Sequence, residues 1–435
     1  MNDKTNVPDY QVLPRSSRIL SIDVLRGFGI MVILVIHRIH YHWTGMRTSE
    51  TLREHFSGIW APLIIFTIAL FTMAGIFYFI SGIVNAYAMY SRISNGKTPV
   101  WKATVGGVAS GLWIFLMNYV QRIFFMNGFL PGEGGDDSKF PVGLATGLIR
   151  DHTVNSFSWV QVTEPGTLSL IGLNIVFVSL LLGFLLRKTK SHEKPKHYTW
   201  LIVAAILFLT LSPLSKYFFR PVYEAYFTTG SYFKAICLGH VCQEFGLLPY
   251  LGYGFIGAII GLGLANDDNK ADFNRRNNII ALVSVIAGLL MIILFDRKQT
   301  FGRGCIGTGI CMIELGLFIL IFRWLLKVFD QCTPKKFEKR KLQSKGVRRF
   351  GMMALTVYIL EPFIAEILKT LVDFVAGTGW NDHLPNVLIF GFGCLLFWHF
   401  VLKLWEKARF KGTLEWLTVF ILLKLTGKKS GKAVF

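Results

Sequence analysis

The stretch ILSIDVLRGFGIMVILVIHRI, Ile19 to Ile39, decides how the rest of the chain is read. It is long and apolar enough to cross a bilayer, because about 20 helical residues span the hydrocarbon core. Yet Asp23 and Arg26 stand near its start and His37 near its end. A charged side chain in lipid costs several kcal/mol, so these three are expected to face protein or a water-filled cavity. On a helix Asp23 and Arg26, three apart, are close enough to pair. A plainer reading leaves the two charges at the headgroups and His37 at the opposite interface.

Composition agrees with a membrane solution. Of 435 residues, 52% are hydrophobic and only 17% charged, below the quarter usual in soluble domains. Apolar runs of about 20 residues recur along the chain, as in a polytopic helix bundle. The net charge of +20 would suggest nucleic acid in a soluble protein, but Lys- and Arg-rich cytoplasmic loops explain it here, and no nucleic-acid partner is expected. The six cysteines show neither metal-binding CxxC pairs nor a dense disulfide framework. The first 18 residues are polar and no small-residue cleavage site follows the first apolar run, which argues against a cleavable signal.

Ten spans are expected, near 19–39, 63–89, 101–125, 166–186, 198–213, 246–265, 277–296, 304–326, 349–374 and 385–406. With both termini inside, 31 Lys and Arg fall on the cytoplasmic side and 12 on the outer side. The positive-inside rule selects that orientation. The chain then divides into a polar N-terminal tail (1–18), a transmembrane domain (19–410) and a C-terminal interfacial helix with a basic tail (411–435). The outer loops are the long ones: His40 to Pro62, with Trp43 and Trp60 as interface anchors; Met126 to Pro165, with a Gly- and Asp-rich turn; and Leu214 to Glu244, with Cys237 and Cys242. The inner loops RKTKSHEKPKH (187–197) and TPKKFEKRKLQSKGVRR (333–349) are basic connectors that also suit an anionic lipid surface. Small residues in GVASG (107–111) and GYGFIGAIIGLGLA (252–265) would let helices approach closely.

Ionisable groups inside the spans are the candidates for chemistry. His37 is the natural proton handler, since an unperturbed pKa near 6.5 suits acid–base work. Glu361 sits mid-span in VYILEPFIAEIL and must be neutral or matched by a cation; it serves either catalysis or helix packing. Glu366 and Lys369, three apart, are expected to neutralise each other, and Arg323 to snorkel to the inner surface. His40, His42 and His55 follow the first span without a carboxylate or cysteine at ligand spacing, so no metal is expected.

The first span, with Arg26 and His37 separated by ten residues, resembles the opening helix of the transmembrane acyltransferases. These comprise the O-acyltransferases of bacterial envelope sugars, the heparan-α-glucosaminide N-acetyltransferase group and its YeiB-like sister branch. APLIIFTIALFTMAGIFYFISGIVNAYAMY (61–90) is similar to the family's second span, and PGTLSLIGLNIVFVSLLLGFLL (165–186) to its fourth. GMMALTVYILEPFI (351–364) and KGTLEWLTVFI (411–421) resemble late signatures of the YeiB-like branch. Met352, Val357, Glu361 and Thr413 depart from that branch's arginine, asparagine, glutamine and proline.

The resemblance implies a plasma-membrane enzyme that moves an acetyl or other short acyl group from cytosolic acetyl-CoA to an outward-facing sugar or envelope glycan. Arg26 and Asp23 would serve the donor. His37 would take the acceptor's proton, with Glu361 as a second catalytic candidate, and His40, Trp43 and His55 would lie toward the acceptor. The partners implied are membrane lipids, acetyl-CoA and the carbohydrate, with a homodimer left open. Direct transfer is favoured over an acetyl-histidine intermediate. A transporter or lipid- and glycan-handling protein without chemistry is the competing class; ten spans with central charges suit it, and the missing inverted repeat counts against it.

Overall fold

The computed structural model describes residues 19–43, 74–96, 98–128, 141–187, 198–243, 246–266, 268–296 and 298–425. Among these the secondary structure is entirely helical. Eight helices are long and apolar enough to cross a bilayer, nine if one bent pair is counted as a span, so the chain is a multi-pass membrane protein. Ten spans are therefore more than the described residues contain. The expected second span begins outside them. Its described part, Gly75–Ser94, carries Ser81, Asn85, Ser91, Arg92 and Ser94 and falls short of the apolar test.

In chain order the helices are α1 (Leu20–Arg38), α2 (Gly75–Ser94), α3 (Val100–Val120), α4 (Leu144–Arg150), α5 (Val160–Thr163) and α6 (Thr167–Leu186). Then come α7 (Tyr198–Thr228), α8 (Tyr232–Cys242), α9 (Leu247–Ala265), α10 (Lys270–Leu294) and α11 (Thr300–Leu325). The last are α12 (Pro334–Gln343), α13 (Lys345–Met352), α14 (Ala354–Ala376), α15 (Leu384–Lys407) and α16 (Leu414–Leu425). Single π-helical turns extend α1 to Trp43, α3 to Phe125 and α11 to Asp330. α16 lies within the expected C-terminal segment 411–435; the two terminal stretches, 1–18 and 426–435, lie outside the described residues.

The post of the bundle is α9, apolar all round and buried along almost its whole length, as such a helix must be. Its glycines make that possible. A Cβ at Gly257 would overlap the carbonyl oxygen of Phe79 on α2, so the two backbones touch where any side chain would hold them apart. Gly111 of α3 meets Gly172 of α6 in the same way. These are the contacts that the small-residue runs led us to expect.

Three sequence expectations change. The segment after residue 213 is not an open loop: α7 continues through Pro213 and Pro221 to Thr228, and α8 carries Cys237 and Cys242, which are free thiols, as is Cys305. The expected span 349–374 is broken at Met353, where α13 and α14 meet at 84°. His40 and Trp43 belong to the π turn rather than to a loop, and Trp43 packs with Leu384 and Val387 of α15.

Two distant carboxylates fix the ends of the elements that matter. Asp330 accepts hydrogen bonds from the backbone N–H groups of Leu20 (2.8 Å) and Ser21 (2.9 Å), capping α1 from 310 residues away. Glu415 of α16 accepts from the N–H groups of Leu355 (2.7 Å) and Thr356 (3.1 Å) and from the Thr356 hydroxyl, capping α14 at its break. Burial pushes the Glu415 carboxyl up, against the pull of those donors.

Candidate active site

α1 brings the site together by contacting α13 at one end and α14 and α15 further along. At the N-terminal end of α1 a Cβ on Gly27 would strike the carbonyl oxygen of Val347, and one on Gly351 that of Asp23. The first-span motif and the GMMALT motif therefore meet backbone to backbone. Asp23 pairs with Arg26 at 3.4 Å, as their spacing predicts, and has Arg348 of α13 at 3.9 Å. Asp23 is buried, whereas the Arg26 side chain is 29% exposed.

The C-terminal end of α1 is buried. The carboxylate of Glu361 lies between two neighbours on α1: Oε2 is 3.1 Å from Nδ1 of His37, and Oε1 pairs with Nη2 of Arg38. Arg38 is 0% exposed and Glu361 2%. A carboxylate only accepts, so Nδ1 of His37 donates to it, and that tautomer puts the ring's lone pair on Nε2. A second carboxylate continues the chain. Nη1 of Arg38 lies 3.4 Å from Nδ1 of His42, and Nε2 of His42 lies 3.3 Å from Oε1 of Glu366. Arginine only donates, so Nδ1 of His42 accepts and its Nε2 donates to Glu366. The π turn at Ile39–Trp43 widens the helix where His42 must reach both partners.

Glu366 is thus matched by His42, and not by Lys369 as its spacing suggested. Lys369 pairs with Asp373 at 2.6 Å, one helical turn further on, since Glu366 faces the bundle interior. The aromatic rings of Tyr41 and Tyr358 flank His37 edge-on, with centroids at 5.4 and 6.3 Å. Arg122, at the start of the π turn after α3, is buried as well. It donates to the carbonyls of Gln161 and Pro165 and so pins the segment containing α5 to the bundle.

A cavity of about 480 Å³ lies between α1, α2, α3, α6, α14 and α16. Arg26 and Arg92 line it, Arg92 from the last turn of α2; Asn85 and Ser110 give it polar wall groups and Ile30 and Phe77 apolar ones. Its α14 wall is Leu355 and Tyr358, one turn before Glu361. Tyr358 therefore borders the cavity on one side and His37 on the other.

Of the residues singled out from sequence, the structure joins His37 to Glu361 and keeps Asp23 and Arg26 together at the opposite end of α1. Arg26 lines the cavity; Asp23, His37, His40, Trp43 and Glu361 do not, Tyr358 standing between the cavity and His37, and His55 lies outside the described residues. Arg38, Arg92 and Tyr358 were not singled out, and His42 was weighed only as a metal ligand. Arg38 ends the apolar run and His42 follows it, where cations look like loop residues, and Arg92 looked like an inner-loop charge. Compared with family models and with curated proteins, the chain matches none.

Proposed function

We propose that the protein is an integral-membrane acyltransferase of the plasma membrane that moves an acetyl or other short acyl group from a CoA thioester to a sugar or glycan acceptor. The observation that carries this reading is the continuity of cavity, Tyr358 and the His37–Glu361–Arg38 cluster along one side of α1. Arg26 and Arg92 stand where the Lys/Arg excess places the cytoplasm, and they suit the phosphates of the donor. The walls beyond them, apolar with Asn85 and Ser110 interspersed, suit the amide-bearing pantetheine arm.

The chemistry follows from the tautomer. Glu361 holds Nδ1–H, so Nε2 of His37 takes the proton of the acceptor hydroxyl or amine as it attacks the thioester carbonyl. The new C–O or C–N bond forms, the C–S bond breaks, and His37 returns the proton to the leaving thiolate. Arg38 holds Glu361 in place, and Glu361 in turn stabilises the imidazolium that forms. Arg26 and His37 lie 11 residues apart, about 16 Å along the helix or roughly half the hydrocarbon core. That distance lets the donor enter from one side and the acceptor from the other.

The test is to incubate membranes holding the full chain with acetyl-labelled acetyl-CoA and to identify what becomes labelled. Protein-dependent label on a carbohydrate, with matching release of CoA, is expected. Uptake of a solute that depends on the protein, without acyl transfer, would replace the reading with transport.

A further inference from the structure

A second cavity, which shares no lining residue with the first, lies between the start of α10 and the end of α11. Its volume is about 470 Å³, and Lys270, Asn274, Leu320, Arg323, Trp324, Lys327 and Gln331 line it. Three of those seven are cations, and no carboxylate is among the described lining residues. Leu320, Arg323 with Trp324, and Lys327 follow one another at helical spacing, so they form one stripe that passes from apolar to basic. Leu320 is 45% exposed and Trp324 62%, which in a membrane protein means contact with acyl chains and with the headgroup boundary. Nε of Arg323 donates to Oδ1 of Asn274 at 3.3 Å, and this bond ties the guanidinium to α10 at the groove. The basic end runs on in the chain toward the stretch 333–349, where Lys and Arg are densest.

We infer that this groove binds the phosphate headgroup of an anionic phospholipid from the cytoplasmic leaflet, with its acyl chains along Leu320 and Trp324. The charge selects a phosphate, and the apolar continuation selects one attached to a lipid over one free in solution. Each cation near an anionic membrane surface contributes attraction that falls off within a Debye length. Clustering three of them beside an apolar wall makes a site rather than a diffuse patch. It stands apart from the proposed transfer reaction and does not depend on it.

Native mass spectrometry of the delipidated full chain decides the matter. The protein is titrated with phosphatidylglycerol or with phosphatidylcholine of the same acyl chains. Phosphatidylglycerol should be retained roughly tenfold better, and Lys327→Glu should abolish most of that preference. Arg323→Gln should weaken it as well; if that variant misfolds, the exposed Lys327 still provides the answer. Millimolar inorganic phosphate should leave the bound lipid in place. Equal retention of the two lipids, an unchanged preference in Lys327→Glu, or displacement by phosphate alone would each overturn the lipid site.

Discussion

The two ends of α1 solve the same problem, ionisable groups on a membrane helix, in opposite ways. At its N-terminal end Asp23 pairs with an arginine that is 29% exposed, and Arg348 lies 3.9 Å from the same carboxylate. At its C-terminal end Glu361 and Arg38 are buried, with His37, His42 and Glu366 in the same network. Partly solvated pairs contribute little to stability, whereas a buried pair that loses one member leaves an uncompensated charge in a medium of low dielectric. The Asp23 cluster is therefore free to move. The Glu361 cluster must be complete to exist at all, and that completeness fixes the orientation of His37.

Substitutions can break this contrast, beginning with the largest expected effect. Arg38→Ala strands Glu361 and should cost about 3–5 kcal/mol, read as a fall in thermal stability of the purified protein. Adding Glu361→Leu to Arg38→Met should restore most of that stability, since an apolar pair of similar volume replaces the ions, while activity stays lost. Glu415→Ala removes the acceptor for two backbone amides at the α14 break and should cost about 0.5–2 kcal/mol in the same assay. Arg26→Ala should cost about 1 kcal/mol or less, because the pair is half-open to solvent and Arg348 stays beside Asp23. Its signature should instead be a raised KM for acetyl-CoA with kcat little changed. If Arg26→Ala proves as destabilising as Arg38→Ala, the distinction between the two ends fails.

Much of this arrangement was legible in the sequence. The apolar run of α1 announced a span, Asp23, Arg26 and His37 within it announced a protein-lined interior, and the glycines of α9 announced close helix contacts. Glu361 stood out because a carboxyl in mid-span needs a cation. The sequence did not name that cation. Arg38 is 323 positions away from Glu361, and its place at the edge of an apolar run looks the same whether it ends in a loop or folds inward. Asp330 and Glu415 were hidden for the same reason: a helix cap supplied from another element carries no local signature. α7 was under-read because Pro213 and Pro221 look like breakers, although packed neighbours let prolines persist inside membrane helices. The bend at Met353 depends on Glu415 at the new helix start, so the stretch 349–374 alone reads as one span.

The central claim is that His37, oriented by Glu361, is the base. Its most direct measurement is the rate of CoA release from acetyl-CoA by the purified protein, with membrane extract as acceptor, for wild type, His37→Ala and Glu361→Gln. His37→Ala should lower kcat roughly 10²–10⁴-fold with the protein still folded and the KM for acetyl-CoA near wild type. Glu361→Gln should also lower kcat, because an amide no longer fixes the tautomer or stabilises the imidazolium. Near-normal turnover by folded His37→Ala would contradict the account and place the base elsewhere.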